Sequence, residues 1–377
     1  MTHQTKAPDT SLRVGDRFPI QVESIAHGGH AIGHHAGRTI FVRHAIPGER
    51  VEAVVTAVNR KIVRADAVAV IDASEDRVEP PCPWTGPGGC GGCDFQHVSL
   101  TRQRDLKREV LVSSLQRFAG LDDAAIGKLG IRVEELPGHP DGCGWMTRVR
   151  WSRDDAGVVG LRRHRSHEVI PVDHCVLAEP SIDSPASVVS PSTLRRVFDR
   201  TWEIPASDFW QVHEGLPEAL VGTVMEMAQP RAGEHWWDLY SGAGLFAAFI
   251  GTAVGLDGRV DAVEASPSAV SIARSALSDL PQVVVHEADT AAWISGADHE
   301  APDGVILDPP RAGVGEQLMA TLTSAEIPRL VYVACDPVAL ARDLAVARAA
   351  GYRMTSLKSF DAFPMTHHLE TVALLSR

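Results

Sequence analysis

The sequence predicts an α/β protein preceded by a small β-barrel, and three observations carry this reading. From about residue 208 onward, strand-like and helix-like segments alternate, the pattern of a largely parallel sheet covered by helices. Residues 11–72 hold instead short alternating or β-branched runs separated by turn signals. Between the two lies a cysteine-bearing stretch, 80–93, too rich in Gly and Pro for either helix or strand. A chain of 377 residues has room for two or three domains. The boundaries are placed at 1–75 for the barrel, 76–205 for a central β-rich domain with the cysteines, and 206–377 for the α/β domain.

Composition sets the class. With 44% hydrophobic and 22% charged residues the chain is an ordinary globular protein. No apolar run reaches the ~18 residues of a membrane helix. Met1 to Arg13 is polar and has no apolar core, so it is not read as a signal peptide, and a cytoplasmic location is expected. Six cysteines there point to metal binding or catalysis before disulfides. The net charge of −12 is unevenly spread: residues 1–175 hold 23 Lys+Arg and 22 Asp+Glu, and the acid excess falls in 176–377. Arg148 to Arg165 carries six arginines against two acids. That stretch reads equally as a solvated face or as a surface tracking phosphates.

Taken in order, strands are expected at 20–25, 39–43, 50–56 and 64–71, with turns at His27-Gly-Gly29, Ala36-Gly37 and Pro47-Gly48. About five strands in so short a segment suggest a barrel of the OB type. His27, His30, His34 and His35 are read as turn-region residues rather than as a metal site. Residues 99–119 read as one amphipathic helix, with Ser99 as N-cap, Gly120 as stop, and Leu106, Val110, Leu111, Leu115 and Phe118 on one side. Residues 131–176 return to strand character, with Trp145, Val149 and Trp151 alternating with arginines, and Pro180 to Pro191 reads as a connection. Tryptophans 145, 151 and 210 are candidates for base stacking, with packing expected for two of the three.

In the α/β part, Trp236–Tyr240 is strand-like, Ser241-Gly-Ala-Gly244 follows, and a helical run begins at Leu245. A Gly-rich turn between strand and helix lets a ligand approach the backbone. The form is shorter than the pyrophosphate-binding fingerprint. Glu264 ends the next strand, where an acid commonly grips a ribose diol, and Asp289 ends the one after. With Asp238, which opens the Asp-x-x-x-Gly-x-Gly form, three acids at successive strand ends suit a nucleoside cofactor that carries positive charge, and S-adenosylmethionine fits that description. Asp308-Pro-Pro-Arg311 closes a further strand, Cys335 ends the next, and Glu370 precedes the last. Cys335 alone admits two readings, a covalent catalyst or a buried small hydrophobe. A carboxylate at a neighbouring strand end, beside a methyl donor, favours the first.

These segments together resemble the S-adenosylmethionine-dependent RNA uracil-C5 methyltransferases. The resemblance rests on DFWQVH (208–213), DLYSGAGLF (238–246), LDPPRAG (307–313), YVACDP (332–337) and DAFPMTHHLE (361–370), and upstream on CPWTGPGGCGGCDFQH (82–97) and HCVL (174–177). It implies a class I, Rossmann-like methyltransferase domain behind an N-terminal TRAM barrel. It implies cofactor contacts at Gln211, Tyr240, Gly242, Gly244, Glu264, Asp289 and Asp308, with Cys335 as nucleophile and Glu370 as general base. It also implies an RNA substrate, 23S ribosomal or transfer RNA; independently of it, a monomer without membrane attachment is expected. The sequence departs from the family pattern at Ser241, Asp336 and Leu369, where many members have Cys, Asn and Val. A carboxylate at 336 would oppose thiolate formation at Cys335 unless it faces away or is paired.

Cys82, Cys90, Cys93 and Cys175 form a possible metal set. Spacing alone leaves zinc and an iron–sulfur cluster equally open. The resemblance favours a [4Fe–4S] cluster that ties 82–93 to the strand around Cys175, although the gap after Cys82 is longer than the family's. Cys143 is the spare. Two alternatives stand beside the uracil enzyme: a cytosine-C5 or amino-group methyltransferase, and an RNA-binding protein with a degenerate methyltransferase fold.

Overall fold

The computed structural model describes residues 12–60, 62–186, 191–296 and 299–377. Most of the polar N-terminal stretch and residues 187–190 of the Ser/Pro-rich connection lie outside them. Five strands, β1 (Arg17–Ala26), β2 (His30–His35), β3 (Arg38–Arg43), β4 (Arg50–Val58) and β5 (Val63–Asp72), close a barrel in the order β1-β2-β3-β5-β4. Its core is small and aliphatic: Ile20, Val22, Ile40, Val42, Val51, Val55 and Val63 are fully or almost fully buried. The histidine-rich segment expected as a turn is the strand β2 from His30 onward. Its residues pair on both sides, with β1 and with β3.

Helix α1 (Leu100–Ala119) begins and ends where the sequence predicts. The Ser99 hydroxyl accepts from the Arg102 N–H, and Gly120 adopts the left-handed conformation that closes the helix. Helix α2 (Asp123–Leu129) and strand β6 (Val133–Glu135) follow. The strand character expected over 131–176 is only partly realised. Beyond β6 there are three short strands, β7 (Ser152–Arg153), β8 (Val159–Arg162) and β9 (Val169–Ile170), in a sheet of their own. Residues around Trp145 form no ladder because their N–H groups are split between two segments: Gly144 to Val176 O and Met146 to Leu177 O, but Thr147 to Val212 O. Trp145 is core, stacked on His213. A hairpin, β10 (Ser192–Val197) and β11 (Arg200–Pro205), leads to α3 (Leu216–Ala228).

The remainder is β12 (His235–Leu239), α4 (Leu245–Val254), β13 (Arg259–Glu264), α5 (Pro267–Ala276), β14 (Val283–Glu287), α6 (Thr290–Ser295), β15 (Gly304–Leu307), α7 (Glu316–Ser324), β16 (Arg329–Ala334), α8 (Pro337–Ala349), β17 (Arg353–Asp361) and β18 (Glu370–Ser376). The eight-stranded sheet runs β14-β13-β12-β15-β16-β18-β17-β6. Its first five strands are parallel, and β18 enters antiparallel to β16. Both faces are buried, which explains the near-continuous apolar strands. Trp237, Leu239, Val305, Leu307 and Tyr332 face α1, α7 and α8, while Trp236, Val260, Ile306, Val331 and Val333 face α3 and α4. Because β18 runs the other way, its first residue lies at the edge where the parallel strands end.

Candidate active site

That edge gathers the residues singled out by sequence. The register between β16 and β18 ends at Ala334 opposite Thr371, so the next positions, Cys335 and Glu370, face each other across neighbouring strands. Glu370 is buried, and its pKa is raised well above the usual value by burial, then by Asp308, against the opposing pull of Arg311. The Cys335 thiol is pushed up to about 12 by burial, then by Glu370 and Asp308, again with Arg311 opposing. Burial alone moves Asp308 to about 7. Asp308 and Glu370 thus oppose ionisation of the thiol, and Arg311 favours it.

Asp308 is held by a rigid turn. Its N–H donates to Leu239 O, and Gly313 N closes the loop on Pro310 O. Val314 and Gly315 donate their N–H groups to the Asp343 carboxylate of α8, at 2.7 and 3.1 Å, and the buried Tyr332 hydroxyl donates to it at 2.6 Å. Gly313 has φ +83°, and a Cβ there would lie 2.6 Å from Asp343 Oδ2, so this position admits only glycine. Arg311 donates to His368 Nε2 at 3.3 Å.

Asp336 has both oxygens engaged, and its charge is the smallest of the influences on the Cys335 thiol. As N-cap of α8 its Oδ1 accepts from the N–H groups of Val338 and Ala339, and Oδ2 lies 3.1 Å from His27 Nε2 of the barrel. These bonds and His27 hold its pKa below the usual value despite burial.

The glycine loop sits one strand along. Tyr240, Gly242 and Gly244 all have positive φ. Gly242 has open space where a side chain would point, whereas Gly244 is packed against Leu277. Glu264 receives the N–H groups of Gly242 and Ser266 at 2.9 and 2.7 Å, and Asp289 caps α6. Beneath the loop, Asp238 accepts from Ala247 N at 2.8 Å, while its Oδ1 and the Ser241 hydroxyl have no partner among the described residues. Burial pushes Asp238 up to about 8. An open backbone glycine, a ring of acids and orphaned polar atoms fit a polar, cationic nucleoside ligand. Gln211 is half-buried in the segment leading to α3.

The four predicted cysteines line one cavity of about 410 Å³, together with Arg150, Arg162, Arg163 and Arg165. Cys143 does not line it. The Cys loop is laid on β8 by an isolated bridge between Cys90 and Arg163. Cys175 lies on a loop after β9, not on a strand as expected. Gln96 bridges the set, accepting from Cys82 N and donating to Cys93 Sγ at 3.0 Å. Burial and mutual repulsion raise the thiols of Cys90, Cys93 and Cys175. Among the described residues no three His, Cys, Asp or Glu converge closely enough to share one ion. A second cavity, about 350 Å³, is lined by Arg148, Arg150, Arg195, Trp151 and Trp210.

Sequence reasoning missed Asp343, Gln96, Lys107 and Asp94. Lys107 of α1 is buried on Asp361 and also donates to Phe363 O at 3.0 Å. Asp94 holds His367 Nδ1 at 2.5 Å. All four act on residues distant in sequence or on backbone, which no local pattern signals.

The sheet order, the glycine loop and the acids at the strand ends define a Rossmann-like methyltransferase. A solved structure agrees in fold: that of Pyrococcus abyssi tRNA (uracil-54, C5)-methyltransferase in complex with S-adenosyl-L-homocysteine has a TM-score of 0.66 at 21% identity, covering 94% of this chain and 99% of that one. Residues 295–377 match the tRNA (Uracil-5-)-methyltransferase family, and 12–68 match the TRAM domain. A Streptomyces avermitilis protein named as an uncharacterized RNA methyltransferase is 38% identical, over 96% of this chain and 98% of its own length. The 23S rRNA (uracil(1939)-C(5))-methyltransferase RlmD of a Shewanella species is 28% identical, over 97% of each chain. The chain belongs to the RNA (uracil-5-)methyltransferase family. Among the described residues no helix is long and apolar enough to cross a membrane.

Proposed function

We propose that this protein methylates C5 of a specific uridine in 23S ribosomal RNA, with Cys335 as nucleophile and Glu370 as base. The observation that carries the reading is the pairing of Cys335 with Glu370 across β16 and β18, beside Asp308. The name of the Shewanella relative favours ribosomal RNA, while that of the Pyrococcus structure keeps transfer RNA as the alternative substrate. Mass spectrometry of ribosomal and transfer RNA from a strain lacking the protein tests this. The account predicts loss of 5-methyluridine at one ribosomal position; an unchanged inventory overturns it.

Uracil C5 is too weak a nucleophile to take a methyl group directly. Cys335 Sγ adds to C6, and the electron pair moves to C5 and O4. Glu264 and Asp289, beside the Gly242 loop, would hold S-adenosylmethionine, whose S–CH3 bond would break as C5 takes the methyl group, the electron pair staying on sulfur in S-adenosylhomocysteine. Glu370 then takes the C5 proton, the C5–C6 double bond re-forms, and the bond from C6 to Cys335 breaks. Asp308 is placed to orient the ring. The uridine must leave its stack to reach this recess. The acids Asp308 and Glu370 outweigh Arg311, so a cationic donor is the counter-charge that lets thiolate and carboxylate coexist.

The cavity with Arg148, Arg150, Arg195, Trp151 and Trp210 suits an unpaired nucleotide and its phosphate. For the four cysteines we favour a [4Fe–4S] cluster over zinc. Four sulfurs about 2.3 Å from a single zinc would nearly touch, whereas these surround a cavity with arginines to offset an anionic cluster. Its role is structural, since methyl transfer moves no net electrons. Anaerobic purification should give iron and acid-labile sulfide in step with protein, and Cys90→Ser should lose both with folding or RNA binding. Zinc without sulfide would reverse the assignment.

A further inference from the structure

The turn between β1 and β2 leaves the barrel and lies on the catalytic half of the molecule. His27 Nε2 is 3.1 Å from Asp336 Oδ2, and its ring meets that of His367 edge-on at 6.1 Å. Two residues on, Gly29 has φ +74°, and a Cβ there would lie 3.0 Å from His367 Cβ and 3.1 Å from Asp94 Cβ. Asp94 also stands 3.6 Å from Arg43 of β3. The barrel is therefore seated on the loop 362–369 and on the residue that follows the nucleophile.

The two oxygens of Asp336 have separate duties. Oδ1 is taken by the first N–H groups of α8, which leaves Oδ2 to His27. We propose that His27 is a positioning residue for the reaction: from the barrel it holds Asp336 against the start of α8 and offsets its charge, so that thiolate formation at Cys335 depends on a seated barrel. This rests on the reading of Cys335 as nucleophile. Cys335 faces Glu370 from β18, Asp308 and Arg311 from the loop after β15, and Asp336 from α8. Asp336 faces His27, and His27 faces Asp336 and His367. Asp336 already adds a small field to those of the two acids set against Arg311, and without His27 that field is no longer offset. The neutral imidazole can supply the hydrogen bond, and the protonated ring adds the compensating charge.

The test is alkylation of Cys335 by iodoacetamide as a function of pH, read by peptide mass spectrometry on the full chain. The proteins compared are the wild type, His27→Ala, Asp336→Asn and the double variant. At a fixed pH below the thiol pKa the rate follows the thiolate fraction, so His27→Ala should slow alkylation by roughly three- to tenfold, up to one pKa unit. The double variant should return to the Asp336→Asn rate, because a neutral side chain has no charge to offset. An unchanged rate in His27→Ala overturns the proposal. A double variant as slow as His27→Ala also overturns it, since the contact then acts only through structure. Trapping of 5-fluorouridine RNA is read in parallel: the predicted alkylation pattern without trapping would support the His27 contact and overturn the nucleophile reading instead.

Discussion

At the scale of single residues, the site is organised by protons held where water would release them. Glu370 and Cys335 both sit above their ordinary pKa values, and each must lose a proton to act. Single-turnover methylation should therefore rise with pH from 6 towards 9, and a flat profile would count against this pair. Replacing Glu370 by Gln removes the base but not the nucleophile. That variant should accumulate a covalent RNA adduct on ordinary uridine and turn over at least about a hundredfold more slowly. Stability has the opposite slope. Asp238 at about 8 and Asp308 at about 7 stay protonated in the fold after the unfolded chain has released their protons near the ordinary aspartate value. The folded state holds more protons across that window, so stability falls as pH rises from about 5 to about 8. Thermal melts of Asp238→Asn should show a shallower fall. That Cys335, Asp308 and Glu370 gather at one sheet edge was legible because the first two follow apolar strands and Glu370 opens one that runs the other way. The pairing of Asp336 with His27 was not, because the histidine comes from a separate barrel.

At the scale of elements, helix α1 joins the central region to the catalytic sheet. Its apolar side packs with α8, and Lys107 is buried with Asp361 at the end of β17, next to the loop that leads to Glu370. Removing one partner of a buried pair strands the other charge, so Lys107→Ala should cost about 3–5 kcal/mol by denaturant unfolding. A loss under 1 kcal/mol would show the pair to be solvated. The caps of α1 were readable because Ser99 and Gly120 act on neighbouring backbone. The strands expected around Trp145 and Trp151 were misplaced for the converse reason. An alternating pattern there reflects one buried tryptophan and a set of arginines, while the backbone bonds to two unrelated segments, 176–177 and Val212.

At the scale of the molecule, the barrel, the cysteine loop and the methyltransferase sheet meet around one loop, 362–369. The alternation of elements made the sheet legible. The seating of the barrel was not, since it rests on Gly29 fitting against Asp94 and His367. Five of the six arginines of 148–165 line the two cavities, Arg150 both of them, and the cavity with Trp151 and Trp210 is the face proposed for RNA. The triple change of Arg148, Arg150 and Arg195 to Ala should weaken RNA binding and flatten its salt dependence, by about 0.7 in slope for each single-strand phosphate released. An unchanged slope would place the RNA elsewhere.

The central claim, covalent catalysis by Cys335, is tested most directly by incubating the full chain with S-adenosylmethionine and RNA that carries 5-fluorouridine. Fluorine at C5 cannot be removed by Glu370, so the account predicts a complex that survives denaturing electrophoresis, maps to Cys335 and is absent from Cys335→Ala. Methylation of ordinary RNA by Cys335→Ala, or an adduct on any other residue, would contradict it.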